Sequence, residues 1–175
     1  MRISSSSWVR KALENRRPLR ALVKVIPESA QIDAEYVGEV NSWQMNDAYL
    51  RLLSKNVAGL TRNFWSAGYP TFSAGSFVSN IGHYRAFRDV LNMPANTYVV
   101  HLCATKASRD VRRINRGKET SEEWQEMADQ ADPEDTSFAE ANAGYTFLRI
   151  DNDGLEVSDT VERIRQWAPE FFETD

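Results

Sequence analysis

Between residues 98 and 118, a short apolar run (Tyr98-Val99-Val100-His101-Leu102-Cys103-Ala104-Thr105) gives way to a stretch bearing Arg109, Arg112, Arg113 and Arg116. At spacings of three and four, these guanidiniums share roughly one side of a helix. Guanidinium forks match phosphate oxygens in shape and charge, so the set reads as a clamp for a polyanion, including a phosphoryl group in transfer. The same run also reads as a solvated helix face paired with Asp110, Glu119, Glu122 and Glu123. Arg109 and Arg113 form one pair four residues apart, and Arg112 and Arg116 form a second, displaced around the helix. Arg109, Arg113 and Arg116 are expected on phosphate and Arg112 on an acid.

Other candidates are more dispersed. Asn41, Trp43 and Gln44 combine an aromatic face with amide groups, the mixture that recognises a sugar or a base and equally builds an interface or a capped loop. Ser5, Ser6 and Ser7 precede an apolar run and read as hydroxyl caps of a helix whose free amides can also hold an anion weakly. His83 and His101 stand too far from other ligands for a metal site, and His101 lies in an apolar strand where a hydrogen-bonded core histidine is the usual case.

The elements that must position these groups alternate. The pattern predicts a helix over residues 6–16 and a β-type run over 19–26, closed by Pro27 with Val23 and Val25 on one side. A long amphipathic helix over 46–68 follows, opened by Asn46 and Asp47, then a strand over 71–78 and a helix over 82–91. A strand over 97–104 precedes the arginine helix at 106–116, and Ser121 with acidic first-turn residues opens a helix over 121–131 that Asp132-Pro133 ends. A strand over 145–150, the turn Asp151-Asn152-Asp153-Gly154 and a helix over 157–167 complete the series. Strands alternating with helices imply a single α/β domain over residues 1–175, with a parallel sheet of about four strands covered on both faces. Ligands bind such sheets beyond the carboxyl ends of the strands.

Composition narrows the classes. With 42% hydrophobic and 26% charged residues, the chain reads as an ordinary globular protein. A net charge of −4 argues against general nucleic-acid binding, which needs an excess of Lys and Arg. No apolar run reaches the length of a membrane span or makes the core of a secretion signal. Cys103 is the one cysteine, so no internal disulfide forms, and its apolar strand predicts a buried thiol in a reducing cytoplasm.

Taken together, the strand at 97–104, the arginine helix and the strand-turn-helix at 145–167 resemble the latter half of a P-loop small-molecule or nucleotide kinase. The resemblance implies ATP and Mg2+ as cofactors, a small-molecule acceptor, and an arginine-bearing lid near residues 106–131. It also aligns Ser6 with the magnesium-binding hydroxyl of the phosphate loop, making Ser5, Ser6 and Ser7 phosphate neighbours. Ser5 then stands where the loop lysine belongs, the glycines are missing, and the sheet is expected to lack its usual first central strand. Asp33, in Asp33-Ala34-Glu35-Tyr36, falls where such kinases carry an acid facing the acceptor, able to orient or deprotonate its hydroxyl. Asp33 and Arg113 are thus the expected catalytic pair, with Asp33, Asn41, Trp43 and Gln44 on the acceptor. Ser73-Ala74-Gly75-Ser76 resembles the strand end that approaches phosphate in these enzymes, without their acidic metal partner.

The resemblance therefore implies transfer of the γ-phosphoryl group of ATP to a small-molecule hydroxyl, impaired by the absent loop lysine. Two alternatives stand beside it: a non-catalytic binder of nucleotide or phosphometabolite, and an interaction protein using Trp43, Trp65 or Trp124.

Overall fold

The centre of the sheet is a strand of only four residues. The computed structural model describes residues 2–5, 16–38, 40–41, 46–75, 77–78, 80–115, 137–140 and 144–173. β1 (Arg2–Ser5) pairs in parallel with β3 (Thr71–Gly75) on one side and β4 (Asn96–Cys103) on the other, Ile3 facing Phe72 and Thr97. β2 (Ser29–Asp33) adds outside β3 and β5 (Thr146–Asp151) outside β4, giving five parallel strands in the order 2-3-1-4-5. The α/β class and the parallel sheet are as the sequence implied. The expected loss of the first central strand is corrected: Arg2–Ser5 fills that position, so the sheet has five strands rather than about four.

Alternation along the strands builds two cores. Ala30, Ile32, Phe72, Ala74 and Val99 face α2 (Asp47–Ser66) and α3 (Ile81–Leu91), where Leu53, Val57, Tyr84, Phe87 and Leu91 meet them. Val100, Leu102 and Ile150 face the opposite layer, α1 (Arg16–Val25) and α6 (Val157–Trp167), with Leu22, Ile26, Val161 and Ile164. α4 (Lys106–Ile114) follows β4, and the single turn α5 (Ser137–Glu140) brings Phe138 into the first core.

Residues 19–26, expected as a strand, lie mostly in α1. Leu19, Leu22 and Ile26 are buried at helical spacing while Val25 is 41% exposed, which no strand alternation produces. Pro18 sits in the first turn, where its missing amide costs nothing. Asp33 accordingly ends β2 itself rather than following a strand at 19–26. Of the helix expected over 6–16, residues 6–15 lie outside the described residues, as does the whole of the helix expected over 121–131.

The remaining helices begin as their capping residues dictate. Asn46 Oδ1 accepts the Tyr49 amide at 3.0 Å, Asn80 Oδ1 accepts the His83 amide at 2.9 Å, and Asp159 Oδ2 accepts the Glu156 amide at 3.0 Å. The connection from β2 to α2 is pressed onto α2: Asn56 Nδ2 donates to Val37 O at 2.6 Å, and Gly38 lies against Leu53. A Cβ on Gly38 would stand 1.9 Å from Leu53 Cδ2, and Leu53 is itself buried with little room to yield. Gly38→Ala is expected to cost about 1–3 kcal/mol through overpacking, read as a lower urea midpoint at unchanged slope.

Candidate functional site

In an all-parallel sheet the carboxyl ends of the strands share one edge, and the helices that return from it start there. That edge collects Ser5 from β1, Asp33 from β2, Gly75 from β3, Cys103 from β4 and Asp151 from β5. The capped amino ends of α2 and α3 open on the same side, with the partial positive charge of their free amides.

The best-defined corner lies between β4 and β5. Asn152, only 6% exposed, donates its amide to Cys103 O at 2.7 Å. Arg112 Nη2 returns to the same residue, donating to the Asn152 backbone oxygen and, at 3.0 Å, to its Oδ1. The Thr105 amide donates to both carboxylate oxygens of Asp153, at 3.0 and 3.2 Å. The Ser108 hydroxyl also bonds Asp153, and this bond, the Thr105 donors and the Arg112 charge together outweigh slight burial and hold the carboxyl below its ordinary range. Arg109 Nη1 donates to Ala104 O at 2.8 Å, and Lys106 pairs with Asp110 at 2.9 Å. The amino end of α4 thus already carries a carboxylate, so an anion arriving here meets its guanidiniums rather than its first amides.

Across the edge, Asp33 is half-buried with its Oδ2 enclosed. Tyr36 and Asn41, in the connection that follows, are exposed. His83, in the first turn of α3, has its imidazole pushed below the usual 6.5 by burial, with the Asp47 charge opposing the shift. The unfolded chain therefore takes up a proton near pH 6.5 that the folded chain resists, so stability is full above that pH and falls as the pH drops through it. The melting temperature is expected to fall between about pH 7.5 and about pH 5.5, and His83→Gln to remove part of that fall.

Of the residues singled out from sequence, Ser5, Asp33, Asn41, Arg109 and the backbone of Arg113 belong to described elements at or next to this edge. Ser6, Ser7, Trp43, Gln44 and Arg116 lie outside the described residues. Arg112 turns to the protein, as expected, but the oxygens of Asn152 accept its hydrogen bonds while Asp153 supplies the neighbouring charge. Cys103 is buried. Asn152, Asp153, Thr105 and Ser108 were missed. The one signal was the Asp-Asn-Asp-Gly turn, which reads as a strand exit and says nothing of a partner helix. Among the described residues, no three His, Cys, Asp or Glu side chains gather to hold a metal ion, and no helix is long and apolar enough to cross a membrane.

This sheet order, with helices on both faces, matches P-loop kinase-like folds. No family model and no curated protein sequence matches the chain. Among solved structures it is similar to a sugar kinase from Janibacter sp. HTCC2649, with a TM-score of 0.72 and 11% identity over 99% of each chain. It is also similar to a gluconokinase from Sinorhizobium meliloti 1021, with a TM-score of 0.60 and 8% identity over 98% of this chain and 93% of the other. A third neighbour is the tunicamycin resistance protein of Deinococcus radiodurans, with a TM-score of 0.55 and 12% identity over 96% of this chain and 94% of the other. At such identities the likeness is one of fold.

Proposed function

We propose that the chain binds ATP with Mg2+ at the carboxyl edge of its sheet and transfers the γ-phosphoryl group to a hydroxyl of a small molecule. One observation carries this reading: Asp33 at the end of β2 and the arginine helix after β4 stand at the same edge, on opposite sides of the central strand β1. A carboxylate on one side and guanidiniums on the other is the division of labour that phosphoryl transfer needs, since catalysis there is positioning and charge stabilisation. Arg109, Arg113 and Arg116 hold the phosphates, and Asp33 orients the acceptor hydroxyl and takes its proton. Ser5, Ser6 and Ser7 lie by the phosphates with Ser6 as the protein's hydroxyl on Mg2+, while Asn41, Trp43 and Gln44 contact the acceptor. Bound Mg2+ supplies charge neutralisation on the phosphates. It commonly keeps several waters and takes one or two protein ligands, so it needs no dedicated cluster of acids.

The test is a thermal-shift series with ATP and Mg2+, followed by measurement of ADP formed with sugars and sugar acids, the acceptors suggested by two of the neighbours. Stabilisation by ATP and acceptor-dependent ADP support the reading, and no shift with any nucleotide overturns it. A second reading, a non-catalytic nucleotide binder, is favoured by Ser5 at the end of β1, which stands where the resemblance expects the loop lysine. Tight ATP binding without ADP under any acceptor selects it.

A further inference from the structure

We infer that the Asn152–Asp153 turn is a latch that sets where the arginine helix stands, making both residues positioning residues for the phosphate-binding side chains. The inference rests on the proposed role of α4 and adds how that helix is held.

Among the described residues, α4 has almost no apolar purchase on the body. None of its residues belongs to either core cluster, and its largest apolar side chains, Val111 and Ile114, are 57% and 72% exposed. A helix of nine residues without a buried face does not stay docked through propensity, because short helices are marginal in water. Polar contacts tie it down, and among the described residues those of Thr105, Ser108 and Arg112 fall on two consecutive residues of one turn. Asp153 takes the Thr105 amide and the Ser108 hydroxyl at the amino end. Asn152 takes Arg112 through its backbone and side-chain oxygens. Thr105 and Arg112 are separated by about 10 Å along the axis, at 1.5 Å rise per residue, so the two attachments fix direction as well as place.

The latch is itself rigid. Asn152 is buried and bonded to Cys103 O, and the turn continues into α6, whose Val161 and Ile164 lie in the second core. Asp153 adds a local cap: Thr105 Oγ1 also accepts the Ser108 amide at 3.3 Å, so the carboxylate, Thr105 and Ser108 close the first turn as one unit. The acidic charge at a helix amino end is favourable in its own right. Arg109 shares the consequence, since its guanidinium is tied to Ala104 O just before the latched turn.

Amide hydrogen exchange of the whole chain tests this without any ligand. Asp153→Ala and Asn152→Ala are each expected to speed exchange across residues 106–112 by about tenfold or more, a local opening made easier by about 1.4 kcal/mol, while α2 and α3 keep wild-type protection. Asp153→Asn, which keeps an acceptor for the Thr105 amide, is expected to restore part of the protection. Unchanged exchange at 106–112 in both alanine variants overturns the latch. ATP titration of the same variants tests positioning: affinity is expected to fall several-fold with the melting temperature of the body unchanged, and wild-type affinity beside a loosened α4 overturns that role. Should the wild-type chain bind no ATP, the kinase reading falls, and exchange alone decides whether the latch stands.

Discussion

Asp33→Asn is expected to lower phosphoryl transfer by about 10²–10⁴-fold while leaving ATP affinity near wild type. The substitution keeps the shape of a side chain whose Oδ2 is enclosed at the end of β2, so the fold should survive and the loss falls on the chemistry. It removes the one group proposed to accept the proton of the attacking hydroxyl, which is needed most as the new oxygen–phosphorus bond forms. Initial-rate measurements of ADP release at saturating ATP, over a range of acceptor concentrations, read the effect. Turnover within threefold of wild type would assign Asp33 to the scaffold. Loss of ATP binding instead would move it to the nucleotide side.

Phe72→Ala is expected to destabilise the chain by about 3–5 kcal/mol, much of the total stability of a domain this size. Phe72 is fully buried on β3, beside the central strand, and its ring lies 6.4 Å from that of Phe64 on α2. It therefore supports three features at once: the register with Ile3, the first core, and the placement of the edge where the site lies. Urea unfolding followed by far-ultraviolet circular dichroism checks it, with a lower midpoint at unchanged slope as the expected result. A loss below about 1 kcal/mol would mean that the surrounding side chains collapse into the space.

What the sequence disclosed follows the physics of each element. α2, α3 and α6 were legible because their buried positions repeat at the helical period and their caps are local, and β4 and β5 because each is a short apolar run between turn residues. α1 was misread because Val23 and Val25 suggested a strand, although Leu19, Leu22 and Ile26 carry the helical period. β2 was passed over because only Ala30 and Ile32 mark its buried side between Ser29, Gln31 and Asp33. β1 was missed because Arg2-Ile3-Ser4-Ser5 is too short and too polar to carry a strand pattern, and its serines read as the start of a helix cap. The arginine helix could be found from spacing alone, and its carboxyl-edge position follows from strand alternation. Its latch could not, since Thr105 and Asp153 are 48 residues apart and Arg112 and Asn152 are 40 apart, and no single-sequence pattern joins them.

The four-residue central strand also imposes an order of assembly. Arg2–Ser5 pairs with strands that begin at Thr71 and Asn96, so during synthesis it leaves the ribosome well before either partner exists. Until β3 has been made the central strand can pair with nothing in the sheet, and until β4 has been made its second edge stays open. Long-range closure of this kind slows folding and prolongs the exposure of unpaired strand edges. The nascent chain is therefore most vulnerable to misassociation in the interval before Cys103 emerges, a window in which a chaperone would have the most to shield.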